Sequence, residues 1–284
     1  MKKILVIGAT GMLGTPFTIE LDKAGFEVTA MVRNMKKAKQ MLPESIRLME
    51  GNLESIADLE AACQHQDYVY LSLSTAPNEK NKAFKTEIEG IQNVIHAAKK
   101  TEIQRIGYLS SIIRRFQGFD RWVFDIKNLA VDLLKGADVP TTIYNASNFF
   151  ENLTGQMLAG SNVLLIGKQE TQSWWISGHD YGKMVATSFQ VDEGDQEYTI
   201  QGPKPYSFDG AVDVFVEHYP HKKLAKRRAP LWFMKLAGKV SAQANFGWHI
   251  TEAINQYPEQ FEGEEAWEKL GKPNTTLGEF AKNA

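Results

Sequence analysis

Short, wholly apolar runs alternate with amphipathic stretches through the first half of the chain. Residues 4–7, Ile-Leu-Val-Ile, are apolar at every position, which predicts a strand buried on both faces. Residues 12–24 place Phe17 and Leu21 one helical turn apart and end at Gly25, which predicts a helix with a glycine stop. The same alternation continues with strands at 26–32, 46–49, 67–73, 105–109 and 141–144. Helices are predicted between them over 35–42, 55–63, 87–99 and 119–135. The last of these is the clearest: Phe119, Trp122, Val123, Ile126, Leu129, Ala130 and Leu133 follow an i, i+3, i+4 pattern. Strands and helices in this order predict an α/β protein built on a doubly wound parallel sheet, the Rossmann fold.

Past residue 150 the rhythm changes. Strands are expected at 163–166, 174–176 and 198–201, and helices at 181–189 and 207–218. The last 40 residues read as polar and turn-rich, with Pro258, Gly263, Gly271 and Pro273. The expected organisation is a nucleotide-binding domain over 1–152 and a smaller α+β lobe over 153–284, with segments of the lobe returning to the main sheet.

Composition narrows the function. The chain has 284 residues, 32 Lys+Arg against 34 Asp+Glu, and a net charge of -2, which argues against a nucleic-acid module. A single cysteine, Cys63, excludes an internal disulfide and a CxxC pair, so a reduced, cytoplasmic setting is expected. No apolar run approaches the ~20 residues of a spanning helix, and glycines at 8, 11 and 14 interrupt the only run that imitates a signal peptide. No membrane partner is expected. His218 and His221 lack a third ligand nearby, so no metal is expected either. The basic run from Lys222 to Arg228 reads as a solvated strand or loop.

The most informative motif is Gly8-Ala9-Thr10-Gly11-Met12-Leu13-Gly14, directly after the first strand and opening the first helix. Gly8 suits the sharp turn, Gly11 lets the backbone approach a pyrophosphate, and Gly14 lets helix and strand pack closely. The helix N-terminus offers unpaired N–H groups to phosphate. At the end of the second strand, where an acidic residue would select NAD, stands Arg33, close to the ~20-residue spacing expected after the turn. A guanidinium fits a 2′-phosphate, so NADP(H) is expected; the competing reading of Arg33, Lys36 and Lys37 is a solvated basic helix start.

These pieces, with Val32-Arg33-Asn34, Gly51-Asn52-Leu53, Tyr108-Leu109-Ser110-Ser111, Lys127 and the stretch from Tyr144 to Asn152, resemble the NmrA-like family of atypical short-chain dehydrogenases/reductases. The resemblance spans nearly the whole chain. It implies that Thr10, Gly11, Met12 and Leu13 meet the pyrophosphate, Arg33 the 2′-phosphate, and Asn52 and Leu53 the adenine. It further implies that Leu73, Ser74 and Thr75 line the nicotinamide ribose, that Lys127 holds that ribose, and that Asn148, Phe149 and Phe150 close over the nicotinamide. Three positions depart from the usual pattern. Asn52 stands in place of Asp, Asn145 where Arg is frequent, and Val123 where the catalytic Tyr would precede Lys127 by four residues.

The chemistry is therefore assigned to Lys127, Ser110 and Tyr144. Lys127 either holds the ribose and moves a proton or snorkels from the rim of its helix. Ser110 either bonds a substrate carbonyl or caps a turn. Tyr144 either replaces the missing phenol or packs as a strand aromatic. The expected function is NADPH-dependent hydride transfer to a small electron-poor acceptor, quinone-like or aromatic, by a monomer or homodimer. The alternative is a non-catalytic NADP(H)-binding redox sensor.

Overall fold

A computed structural model describes residues 1–79, 82–116, 122–257 and 259–284. The first half runs β1 (Lys3–Ile7), α1 (Gly14–Lys23), β2 (Glu27–Val32), α2 (Met35–Met41), β3 (Arg47–Glu50), α3 (Ile56–Cys63), β4 (Tyr68–Leu71), α4 (Glu89–Lys100), β5 (Arg105–Ser111), α5 (Trp122–Lys135) and β6 (Thr141–Ala146). The second half runs α6 (Glu151–Gly155), β7 (Leu158–Ala159), β8 (Asn162–Ile166), β9 (Gln172–Trp175), α7 (Gly178–Val191), β10 (Gln196–Ile200), β11 (Lys204–Ser207), α8 (Phe208–His218), β12 (Ala225–Ala229), α9 (Leu231–Ala237), α10 (Ala242–Gln256), α11 (Glu264–Leu270) and α12 (Leu277–Asn283).

Seven strands form one sheet in the order β10-β6-β5-β4-β1-β2-β3, and every neighbouring pair is parallel. This is the doubly wound order, and it places the switch point between β1 and β4. One side chain set fills each face. Phe17, Leu21, Tyr70, Tyr144, Tyr181 and Phe189 pack under α1 and α7. Leu59, Ile91, Val94, Tyr108, Val131 and Leu134 pack under α3, α4 and α5. A third apolar cluster, including Phe150, Trp175, Phe208 and Phe215, belongs to the second half and is closed by Leu277 and Ala281 of α12. The seventh strand, β10, and the helix α7 both come from beyond residue 152, so the second half of the chain completes the sheet and covers one face of it.

Three expectations need correction. The last 40 residues are helical, not turn-rich: Gly263 and Gly271 flank α11, with Gly271 at φ 97°, and Thr276 and Glu279 form a capping box on α12. The turn signals there are helix punctuation. Pro258 and Phe119 lie outside the described residues. On α5, Leu129 is 53% exposed, while Ala130, Val131 and Leu134 are buried. The buried stripe is rotated by about one residue relative to the predicted one, and this carries Lys127 onto it. Finally, β5 runs on through Ser110 and Ser111; the basic run, by contrast, is the solvated strand expected of it, β12 beside β8.

Candidate functional site

The turn from β1 into α1 is dictated by close approach. Gly8 has φ 95°, and a Cβ there would sit 2.2 Å from the Ser72 carbonyl oxygen at the end of β4. A Cβ on Gly14 would sit 2.0 Å from the Gly8 carbonyl oxygen. Only hydrogen fits at either place, so sheet, turn and helix can lie together. Gly11 is exposed, its N–H bonded to the Gly8 carbonyl at 3.0 Å. No side chain caps the N-terminus of α1 at Leu13; the Thr15 N–H donates to the Gly11 carbonyl at 3.1 Å and Pro16 has no N–H, so the Leu13 and Gly14 N–H groups are the ones that can meet a ligand. Thr10, Met12 and Leu13 are half-buried around this opening, and Met12 lies against Gly155 of α6.

Past β2 and β3 lies an open cleft of about 360 Å³ lined by Arg33, Glu50, Gly51, Asn52 and Asp58. Arg33 is exposed and makes no ion pair among the described residues. The Asn52 N–H donates to Asp58 at 2.9 Å, and the Asn52 side-chain oxygen accepts from the Glu54 N–H at 3.2 Å, which leaves the Asn52 amide nitrogen facing the cleft. Leu53 is buried under α4 rather than open to the cleft. Lys37 of α2 donates to the Thr10 carbonyl at 3.3 Å, bringing a second cation to the glycine turn. The residues at hand fit a dinucleotide: uncapped N–H groups for the pyrophosphate, and an unpaired guanidinium with a free amide for the adenosine end.

The chemical centre is a cluster on the α4/α5 face of the sheet. Glu87 is fully buried just ahead of α4. One carboxylate oxygen accepts from the Thr75 N–H at 3.0 Å and from the Thr75 hydroxyl at 2.5 Å. The other accepts from the Tyr108 hydroxyl at 2.6 Å and from the Lys127 ammonium. Lys127 also donates to the Tyr108 oxygen at 3.2 Å, and its side chain keeps 18% of its surface. Burial, followed by the Glu87 charge, pushes the Tyr108 phenol well above its ordinary pKa, so it stays protonated. The result is a buried Glu–Tyr–Lys unit whose ammonium end is half-buried. Ser110, two residues beyond Tyr108 and therefore on the same face of β5, is buried with no partner for its hydroxyl.

The structure brings Lys127, Ser110 and Thr75 to one face, but not Tyr144. The two strands pair Leu109 with Tyr144, and Tyr144 points into the opposite core. Its hydroxyl bonds Ser188 of α7, and burial holds the phenol far above its ordinary pKa. It is a strand aromatic of the core. Phe149 is likewise 5% exposed and edge-on to Tyr181, and Phe150 belongs to the third cluster against Phe280. Asn148 is half-buried with its carbonyl taken by the Ile176 N–H at 2.9 Å. Leu73 packs beside the α4/α5 core and Ser74 is exposed. Asn145 receives an arginine from another element: the Arg114 Nε donates to it at 2.8 Å. The side chain of Val123 lies outside the described residues. Among the described residues no group of three or more His, Cys, Asp or Glu is arranged to hold a metal ion. The Cys63 thiol is buried and pushed up to about 12.

Sequence reading missed Glu87 and the role of Tyr108. Glu87 looked like the first residue of a helix, and its partner Lys127 is 40 residues away. The available signal was an acid in the connection from β4 to α4 and a tyrosine two residues before Ser110 on β5, near the carboxyl ends of the strands where ligands of such sheets gather.

A glycine turn at the switch point of this sheet order, with an open cleft at the second strand, defines a dinucleotide-binding α/β protein. Residues 8–149 match the NAD(P)H-binding family, and the chain belongs to it. Among curated proteins it is 23% identical over 255 residues to the photosystem II assembly factor of Cyanophora paradoxa, covering 88% of this chain and 79% of that one. Among solved structures, the Citrobacter sp. triphenylmethane reductase complexed with NADP(H) superposes with a TM-score of 0.75 at 17% identity, covering 99% of both chains. The Escherichia coli NADPH-dependent quinone oxidoreductase complexed with NADPH gives 0.75 at 19% identity, again with 99% of both chains covered. At these identities the structural likeness establishes the fold.

Proposed function

We propose that this protein is an NADPH-dependent reductase that passes hydride to a small, electron-poor, quinone-like acceptor. The observation that carries this reading is the buried Glu87–Tyr108–Lys127 unit, bonded to Thr75 and lying on the face of β5 that also carries the unpartnered Ser110. When bound, the nicotinamide supplies the hydride. Reduction of a quinone by hydride leaves an oxyanion that needs one proton. The Lys127 ammonium holds such a proton, and its bond to Glu87 fixes its direction. The unpaired Ser110 hydroxyl is a donor for the acceptor's carbonyl. Water returns a proton to Lys127 after each turnover. The tyrosine absent at Val123 is then not required, because a hydroquinone anion is a far weaker base than an alkoxide. Selection of NADP(H) over NAD(H) rests on the unpaired Arg33, supported by Lys37 beside Thr10.

A second reading has its own support: the curated relative is named as an assembly factor, and the chain lacks the usual tyrosine. In it the protein binds NADP(H) and acts through a partner without turnover. NADPH oxidation with a panel of benzo- and naphthoquinones separates the two. Turnover that falls about 100-fold or more in Lys127→Ala, with NADPH affinity changed far less, supports the reductase. NADPH binding without oxidation by any acceptor sinks it. In the same preparation Arg33→Ala should weaken NADPH binding about tenfold or more while leaving NADH binding nearly unchanged; equal affinities for the two in the wild type would refute the role of Arg33.

A further inference from the structure

The second half of the chain carries a surface that the cofactor site does not use. Of the nine large hydrophobic side chains most exposed among the described residues, four fall within nine positions: Trp232 at 68%, Phe233 at 51%, Leu236 at 56% and Val240 at 92%. Helical spacing puts Trp232, Phe233 and Leu236 on one arc of α9, which buries none of its residues. Val240 follows just past the helix end. Single exposed apolar residues are ordinary, but a contiguous set of this kind marks a contact surface.

The charge around this arc is one-sided. No Asp or Glu occurs between Glu217 and Glu252, and seven Lys and Arg do, in a chain whose net charge is -2. Lys226, Arg228 and Lys235 are matched by Asp209, Asp213 and Glu252. Lys222, Lys223, Arg227 and Lys239 are exposed and make no ion pair among the described residues. The basic strand β12 leads through Pro230 directly into α9, and Lys239 lies just beyond it.

We propose that α9 and the basic strand leading into it dock this protein on an anionic lipid bilayer, with the helix lying in the headgroup plane. A bilayer is anionic at its surface and apolar just beneath, so it complements both features at once: cations meet headgroups, and Trp232, Phe233, Leu236 and Val240 enter the acyl boundary. Seven residues are far too few to cross, and no helix among the described residues is long and apolar enough to do so. A second copy of the same face is disfavoured, because it would oppose like charges across the contact. The apolar side chains also project from a convex helix, which suits insertion into fluid lipid better than a preformed protein pocket.

The test uses the full chain and sedimentation with vesicles of phosphatidylcholine alone or with about a third phosphatidylglycerol. Binding is expected to the anionic vesicles, to fall about tenfold on neutral ones, and to weaken in high salt. The triple variant Trp232→Ser, Phe233→Ser, Leu236→Ser should lose about tenfold or more in binding, with circular dichroism and thermal midpoint confirming an intact fold. The variant Lys222→Gln, Lys223→Gln, Lys239→Gln should lose the preference for anionic lipid and keep the apolar component. No binding to anionic vesicles overturns the proposal, as does undiminished binding by the triple variant. A wild-type dimer that the triple variant converts to monomer, without vesicle binding, would assign the face to a second copy instead.

Discussion

Glu87 and Glu151 are two buried carboxylates in one fold, and they are satisfied in opposite ways. Glu87 takes four donors: the backbone and hydroxyl of Thr75, the phenol of Tyr108 and the ammonium of Lys127. Glu151, at the start of α6, takes one backbone donor from Gly178 at 2.8 Å, and its second oxygen is buried without a partner. Burial first, and then the nearby Asp180 charge, push the Glu151 carboxyl up to about 7. A charge taken out of water either acquires a counter-charge or gives itself up by protonation. The first solution keeps an ion pair whose ammonium end is only half-buried, which is useful for chemistry. The second gives a carboxyl that takes up a proton as pH falls through about 7 and that bonds the Gly178 N–H between α6 and α7.

The largest effect should come from breaking the first solution. Glu87→Ala leaves the Lys127 ammonium part-buried without its carboxylate, and the expected cost is about 3–5 kcal/mol in urea unfolding. Removing both charges, as Glu87→Gln with Lys127→Met, should recover most of that loss while abolishing turnover. If Glu87→Ala costs no more than a surface substitution, the ion pair does not organise this face, and the contrast with Glu151 collapses.

That contrast was only half legible in the sequence. The sheet order and the glycine turn follow from local pattern: apolar runs, glycine spacing and Arg33 past the second strand are each readable within a few residues. The Glu87–Lys127 pair joins positions 40 residues apart through two helices and a strand, and nothing local marks it. For Lys127 the sequence leaves a ribose-holding role and a rim position both open, because Leu129 suggests a stripe that the fold turns toward solvent. Tyr144 was a candidate phenol because strand alternation leaves a choice of face, and only the packing of α7 with Ser188 settles which. The C-terminal helices were missed because their bounding glycines read equally well as turns.

An intermediate effect should appear in the pH dependence of stability. A carboxyl near 7 in the folded chain and about 4.5 when unfolded binds its proton more tightly folded. Its contribution is therefore complete below about pH 4.5 and is lost as pH rises through 7, by about 3 kcal/mol at most. Glu151→Gln keeps an acceptor for the Gly178 N–H and cannot ionise. Its thermal midpoint should fall less between pH 5 and pH 8 than that of the wild type. A variant that tracks the wild type across this range would show that Glu151 is ionised in the folded protein, and the two carboxylates would then be alike.

The smallest effect sharpens the comparison between the two faces of the sheet. Tyr108 and Tyr144 sit on adjacent strands, both fully buried and both held protonated. They differ in what their hydroxyls touch. Tyr144 meets only the neutral Ser188, within a group of rings that includes Tyr70 and Tyr181. Tyr144→Phe therefore removes one neutral hydrogen bond and leaves the Ser188 hydroxyl its bond to the Val185 carbonyl at 2.8 Å. The expected loss is about 1 kcal/mol, with kcat and KM unchanged. Tyr108→Phe removes a donor from Glu87 and an acceptor from Lys127, so it should lower kcat at a similar cost in stability. Stability measurements alone would not tell these two variants apart; the kinetic split does. A Tyr144→Phe variant that slows NADPH oxidation as much as Tyr108→Phe would place the chemistry on both faces of the sheet and refute the assignment to Glu87, Tyr108 and Lys127.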